Sequence, residues 1–228
     1  MNQVIHGDCL EVMPNLPVDL IITDPPYLIN YRSNRRQVLD RFDYIQNDSN
    51  RDMVAGSIKP MVDLLKDGSA IYMFCSWHHV DIFKQEIEKY LTLKNIIVWQ
   101  KNNHGTGDLE GSYAPMHELI LFAVKGRHKL RGTRHPDVVK CGKVNSSELL
   151  HPTEKPIPLL ELLVRASSDD GDTILDPFAG SGTTAIACLN TNRNYILIEK
   201  EREYIDIINK RIAEHKQQLT LFTAEKNL

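Results

Sequence analysis

No two of the four cysteines, Cys9, Cys75, Cys141 and Cys188, form a C-x-x-C pair, and all stand far apart. That spacing argues against a zinc site and against a disulfide framework, and it suits a reducing cytoplasm with no bound metal. No apolar stretch approaches the roughly 20 residues that span a bilayer, so no membrane partner is expected. The N-terminus lacks a basic region followed by an apolar core, which leaves no signal peptide to expect. Internal repeats are missing too, which excludes a repeat array.

What is present is ordinary in bulk. Hydrophobic residues make up 42% and charged residues 25%, as in soluble globular proteins. The 228 residues suffice for one sizeable core, and one α/β domain with insertions is expected over two domains. The net charge of −3 speaks against a nucleic-acid binder until its distribution is read. Residues 1–27 carry Asp8, Glu11, Asp19 and Asp24 and no Lys or Arg, whereas residues 94–143 carry nine Lys or Arg against four Asp or Glu. A basic middle section suits a phosphate backbone, and it equally suits a solvated basic loop.

Apolar runs and helical patterns alternate along the chain, which predicts a mainly parallel sheet with helices on both faces. Strands are expected at 2–7, 18–24, 69–75, 93–100, 117–124, 173–177 and 194–199. Helices are expected at 9–14, 51–66, 78–90, 156–167, 183–190 and 202–219. Pro60 either kinks the second of these or opens its second half, and Pro156 sits in a first turn where a missing N–H costs nothing. Residues 28–50 follow Tyr27 without clear pattern; unpatterned loops of that length are usually functional, and this one is expected to cover the site. Residues 126–150 are basic, polar and poorly periodic and read as an insertion, and 220–228 as a loose tail.

Two strand ends carry the chemistry. The apolar run Val18-Asp19-Leu20-Ile21-Ile22-Thr23 stops at Asp24-Pro25-Pro26-Tyr27, as a buried strand does when it delivers functional groups at its carboxyl end. The plainer reading is a strand-ending turn with a surface tyrosine. The second point is Asp176-Pro177-Phe178-Ala179-Gly180-Ser181-Gly182, a glycine-rich turn between a strand and a helix that begins near Thr183. Its glycines allow close backbone approach to a ligand, and the helix start offers free N–H groups to a carboxylate. It is neither G-x-G-x-x-G nor G-x-x-x-x-G-K-[ST], which disfavours a nicotinamide dinucleotide and a nucleotide phosphate. About 20 residues on, Glu199 ends another strand, where an acidic side chain accepts from ribose hydroxyls in Rossmann-like nucleoside sites; a charged turn is the alternative.

In this order, with His151-Pro152-Thr153-Glu154-Lys155-Pro156 upstream of the glycine turn, the chain resembles the permuted β group of S-adenosylmethionine-dependent adenine-N6 and cytosine-N4 DNA methyltransferases, over roughly residues 2–215. The resemblance implies a Rossmann-like methyltransferase sandwich, mainly parallel with a late antiparallel hairpin that includes 117–124. It assigns 1–125 to the catalytic half, 126–150 to a short basic insertion that is the target-recognition candidate, and 151–219 to the cofactor half. Catalysis falls to Asp24, Pro25, Pro26 and Tyr27. Cofactor binding falls to Asp8 and Cys9 at the adenine ring, to His151, Thr153 and Lys155 at the methionine end, and to Asp176, Phe178, Gly180, Ser181, Gly182, Thr183 and Glu199. Asp8 serves equally as an N-cap, and Thr153 as the cap of a Pro-bounded helix start. His117 and Glu118 receive no chemical role.

An exocyclic amine is a poor nucleophile because its lone pair is conjugated into the ring. Acceptors on its N–H bonds favour the pyramidal nitrogen of the transition state, and the Asp24 carboxylate and Pro25 carbonyl can supply them. Tyr27 offers a face on which an extruded base can stack. Asp rather than Ser at position 24 favours adenine over cytosine-N4 by family habit, and the lack of any Pro-Cys pair excludes cytosine-C5 chemistry. The expected partner is double-stranded DNA, in the setting of restriction-modification or a solitary methylase. With so short an insertion, the loops at 28–50 and 103–116, or a second copy in a homodimer, are expected to help read the site. Arg127, Arg131 and Arg134 are candidates for phosphate contacts. A non-catalytic cofactor-binding or DNA-binding subunit is the reading from another class, disfavoured by intact Asp24, Gly180 and Gly182.

Overall fold

The computed structural model describes residues 2–27, 51–105, 110–145 and 154–225. In chain order the elements are β1 (Gln3–His6), α1 (Cys9–Val12), β2 (Val18–Thr23), α2 (Arg51–Leu64), β3 (Leu65–Cys75), α3 (Val80–Glu88), β4 (Thr92–Gln100), β5 (His117–Val124), β6 (Val138–Lys140), α4 (Ile157–Ser167), β7 (Thr173–Asp176), α5 (Thr183–Asn190), β8 (Asn194–Glu199) and α6 (Arg202–Glu225). The eight strands form one sheet in the order β1-β8-β7-β2-β3-β5-β4-β6. All neighbours are parallel except β5, which runs antiparallel to both β3 and β4. This is the mainly parallel sheet with a late hairpin that the sequence predicts.

Alternate residues of each central strand feed two separate cores, as the period of two requires. Leu20, Ile22, Tyr72, Phe74, Phe122, Ile174 and Leu197 pack with Leu159, Leu163, Val164, Ile186 and Ile208 from α4, α5 and α6. Ile21, Ile71, Met73, Leu121, Leu175 and Ile196 pack on the other face with Val54, Ile58, Met61, Phe83 and Ile87 from α2 and α3. Burial on both faces explains why these strands read as unbroken apolar runs. Among the described residues no helix is long and apolar enough to cross a membrane.

The order places the carboxyl ends of β2 and β7 side by side, because these strands pair in parallel through Leu20↔Ile174 and Ile21↔Leu175. From β7 the chain winds outward to β8 and β1, and from β2 toward β3, so the crevice between them is the switch point where open α/β sheets bind ligands. Two motifs about 150 residues apart in sequence therefore meet at one edge.

Four features differ from the sequence reading, the first being that α6 runs to Glu225, into the expected tail at 220–228. β3 begins at Leu65 rather than 69, because Asp67-Gly68 is not a break before the strand but an irregularity within it. Its register jumps from Val18↔Leu65 to Leu20↔Ala70, and Gly68, at φ +83°, donates its N–H to the Lys125 carbonyl at 2.8 Å. Helix α2 continues through Pro60 as expected but ends at Leu64 rather than 66, where the Lys125 ammonium donates to the carbonyls of Val62 and Leu65. Finally, 126–150 is not a free insertion: it contributes edge strand β6, parallel to β4.

Gly182 shows how tightly the glycine turn is built. It caps α5 at φ +79°, and a Cβ there would stand 2.9 Å from Ile208 Cγ1 of α6. Gly182→Ala is therefore expected to cost about 3 kcal/mol, combining left-handed strain with overpacking, and roughly 10 °C in Tm. Gly132→Ala, at φ +67° with nothing within 4 Å, should cost only about 1 kcal/mol. Calorimetry on the pair separates strain from crowding.

Candidate active site

Asp24 follows β2 with its carboxylate 19% exposed and both oxygens occupied. Oδ1 accepts the Tyr27 hydroxyl at 2.6 Å, and Oδ2 accepts the Lys155 ammonium at 2.5 Å. Lys155 is 6% exposed and lies over the Phe74 and Tyr27 rings, with its Nζ at 5.1 and 5.4 Å from their centroids. A second carboxylate completes the group. Glu118, on β5, has Oε2 at 3.0 Å from the Tyr27 hydroxyl and 3.4 Å from Lys155 Nζ, while Oε1 accepts from Lys101 at 2.5 Å. Two carboxylates and two ammoniums thus balance around one phenol.

Burial tends to neutralise each of these groups, and their mutual attraction opposes it. Burial raises the Asp24 pKa, an effect that Lys155 counters and Glu118 reinforces. Burial would raise Glu118 as well, but Lys155 and Lys101 outweigh it and hold this carboxyl at about 2. Lys155 is pushed up, because Asp24 and Glu118 outweigh the burial that alone would lower it. The Tyr27 phenol stays protonated, raised by burial and by both carboxylates. Nearby Cys75 is pushed up to about 12 by burial, so it is a neutral thiol rather than a nucleophile.

The geometry redistributes several sequence assignments. Tyr27 is half-buried, with its hydroxyl donating to Asp24. The tetrapeptide's exit is held by His79, whose Nδ1 lies 3.2 Å from the Tyr27 carbonyl. Lys155, expected at the methionine end of a cofactor, stands against the Asp24 carboxylate. Glu118, to which no role was assigned, lies at the centre. Its parity was the available signal: it shares its strand face with buried Ile120, Phe122 and Val124, where a charge needs a partner.

The neighbouring half is built around the glycine turn. Both oxygens of Glu199, at the end of β8, accept backbone N–H groups, from Gly180 and from Glu201, each at 2.8 Å. Burial raises its pKa, against the pull of those two N–H groups. Asp176 accepts from the Phe178 N–H at 3.1 Å and from the Thr184 hydroxyl at 2.5 Å, and burial lifts its pKa to about 7. Asp176 thus shapes the turn from inside. Ser181 and Thr183 are buried, with their hydroxyl oxygens accepting from Arg211 at 3.2 and 3.3 Å.

Arg211 also pairs with Glu154 at 2.7 Å, tying α6, the glycine turn and the 154–156 segment together. The sequence reading missed this arginine, although it lies beside the apolar stripe Ile205, Ile208 and Ile212. Asp8 is the N-cap of α1, accepting from the Leu10 N–H at 3.0 Å, and it is ion-paired with Lys200; the Leu10 bond lowers its pKa most. Cys9 is buried in the core with its thiol raised to about 12. Its side chain faces the protein and not a crevice. His151, Thr153 and the loop 28–50 lie outside the described residues.

The basic section splits in two. Because β5 runs antiparallel to β3, residues after Val124 emerge at the edge opposite Asp24. There Arg131 pairs with Asp169 at 2.9 Å and donates to carbonyls of Lys129 and Ser167, so it clamps the protein instead of reaching outward. β6 then carries the chain back, and Lys140, Cys141 and Lys143 return to the catalytic edge, where the Cys141 carbonyl accepts Trp99 Nε1 at 2.8 Å.

A parallel sheet with a late antiparallel hairpin, a carboxylate-Pro-Pro-Tyr end and a glycine turn at the switch point define a Rossmann-like methyltransferase fold. Residues 18–210 match the family model for N6/N4-type DNA methylases, and the chain belongs to that family. The YubD protein of Escherichia coli (strain K12) is 32% identical over 217 residues, covering 93% of this chain and 91% of that protein. The type II methyltransferase M2.MboI of Moraxella bovis is 29% identical over 238 residues, covering 92% of this chain and 87% of that one. Among solved structures, the M1.HpyAVI–SAM complex matches with a TM-score of 0.68 at 30% identity, covering 92% of this chain and all of the other.

Proposed function

We propose that the chain transfers a methyl group from S-adenosylmethionine to the N6 amino group of adenine, in a base extruded from double-stranded DNA at a specific site. The observation that carries this reading is Asp24 at the end of β2, beside the glycine turn that ends β7. The residues suit the cofactor. The acidic Glu199 and Asp8 end adjacent strands β8 and β1, as acceptors for ribose hydroxyls and an adenine amine should. The turn at 180–182 opens α5, whose N–H groups suit a carboxylate. The cofactor, when bound, supplies a methyl group on a sulfonium.

The protein's own part is to bind and orient the amine. Asp24 and the Pro25 carbonyl accept the two N–H bonds, which localises the lone pair on nitrogen as it attacks. The Asp24 carboxylate, which already accepts from the amine, would take the proton that the methylated nitrogen sheds. An amine reaching Asp24 Oδ1 would share that oxygen with the Tyr27 hydroxyl or turn the hydroxyl aside. Rotation of Tyr27 also frees its ring to stack the base.

Adenine rather than cytosine-N4 rests on Asp at position 24. Expressing the chain in a host and mapping modified bases by single-molecule sequencing tests base and site together: N6-methyladenine at a recurring short sequence supports the reading, and N4-methylcytosine replaces it. The DNA is expected to lie across the catalytic edge, so Lys140→Ala should reduce the slope of log affinity against log salt by about 1. Arg127→Ala, at the far edge, should leave the slope unchanged. The reverse result would relocate the DNA.

A further inference from the structure

We propose that Glu118 is a positioning residue for methyl transfer: by sharing Lys155 and offering Tyr27 a second acceptor, it frees an oxygen of Asp24 for the substrate amine. The inference rests on the proposed reaction and concerns a residue to which neither the sequence nor family membership assigns a role.

Both Asp24 oxygens already serve donors, the Tyr27 hydroxyl at 2.6 Å and the Lys155 ammonium at 2.5 Å. Each oxygen keeps a second lone pair, but an incoming amine competes with those donors for the same carboxylate, and a hydroxyl pushed aside unpaired in this half-buried place would be costly. Glu118 Oε2 already stands 3.0 Å from that hydroxyl, so its hydrogen can turn from one carboxylate to the other with little movement. The same oxygen lies 3.4 Å from Lys155 Nζ. Glu118 thus shares with Asp24 the attraction of the Lys155 ammonium.

Glu118 is itself held still. Its other oxygen takes Lys101 at 2.5 Å, and the residue sits inside the β4–β5 ladder opposite Trp99. The charged and titratable groups around the pair, among the described residues, are Tyr27 after β2, Cys75 at the end of β3, Lys101 after β4, Lys155 before α4 and Asp176 at the end of β7. Cys75 is neutral, and the two lysines are cations. The Glu118 charge makes Asp24 a better acceptor than Lys155 alone would leave it.

The test compares wild type with Glu118→Gln, which keeps the shape and removes the charge, using S-adenosylmethionine and unmethylated duplex DNA. Cofactor affinity should stay within about threefold, while kcat falls roughly 30- to 100-fold. The diagnostic readout is the acidic limb of kcat against pH. Turnover needs ionised Asp24, and removing a neighbouring anion lowers its pKa, so the limb should move to lower pH. Glu118→Asp, which restores the charge, should return the limb toward wild type. A normal kcat in Glu118→Gln, or a reduced kcat with an unshifted limb, would overturn the role while leaving the reaction intact. Wild type without turnover on DNA would remove the reaction, and the role with it.

Discussion

Asp24→Ala is expected to lower kcat for DNA methylation by roughly 10^3-fold or more while leaving the affinity for S-adenosylmethionine within about threefold. The reason is positional. Asp24 ends β2, on the amine side of the crevice, whereas the cofactor candidates end β7, β8 and β1. Removing it leaves Lys155 with Glu118 at 3.4 Å, so the buried ammonium keeps one counter-ion. Breaking a buried pair nonetheless costs about 3–5 kcal/mol when a charge is stranded, so the isosteric Asp24→Asn is the control. It should fold with a Tm near wild type and show the same loss of turnover. Retained turnover in either variant would remove Asp24 from the chemistry.

Glu199→Ala is expected to weaken cofactor binding by about 100-fold, measured by titration calorimetry. The structure enlarges this effect beyond a lost ribose contact, because Glu199 also holds the Gly180 and Glu201 N–H groups at 2.8 Å each. Hydrogen bonds to a charged group contribute about 1.5–3 kcal/mol each, and about 1.4 kcal/mol is a factor of ten. Glu199→Gln keeps one carbonyl acceptor and should lose only about tenfold. Since burial raises the Glu199 pKa, the acceptor is lost as pH falls through that raised value, and wild-type affinity should decline on acidification. Unchanged affinity in the alanine variant would end the ribose assignment.

Much of the fold was legible because its strands are buried on both faces. β5, α5 and β8 have the bounds that the sequence predicts, and β2 and β7 stop one residue earlier. The element that escaped, β6, is three residues long, too short to show a period, and it owes its existence to pairing with β4 about 40 residues away. β3 was shortened in the reading because Asp67-Gly68 carries a turn signal that the sheet absorbs as a bulge. The site followed the same logic. Asp24, the glycine turn and Glu199 close apolar runs and announce themselves locally.

Glu118, Lys101, Glu154 and Arg211 do not, since each acquires its meaning from a partner on another element. For Glu118, strand parity was the one local hint. Lys155 was named from sequence for the methionine end of a cofactor, and its partner could not be read there: only the approach of the α4 entry to the end of β2 sets its ammonium on Asp24. The basic section misled for a related reason. Its charge was visible, but the direction of β5, which sends Arg127 and Arg131 to the far edge, was not.

The account's central claim is that this chain methylates an exocyclic amine of DNA through Asp24. The most direct measurement is mass spectrometry of nucleosides from unmethylated genomic DNA incubated with S-adenosylmethionine and either wild type or Asp24→Asn. The account predicts N6-methyldeoxyadenosine with wild type and none above background with the variant. Equal product from both proteins, or methylation confined to carbon 5 of cytosine, would contradict it.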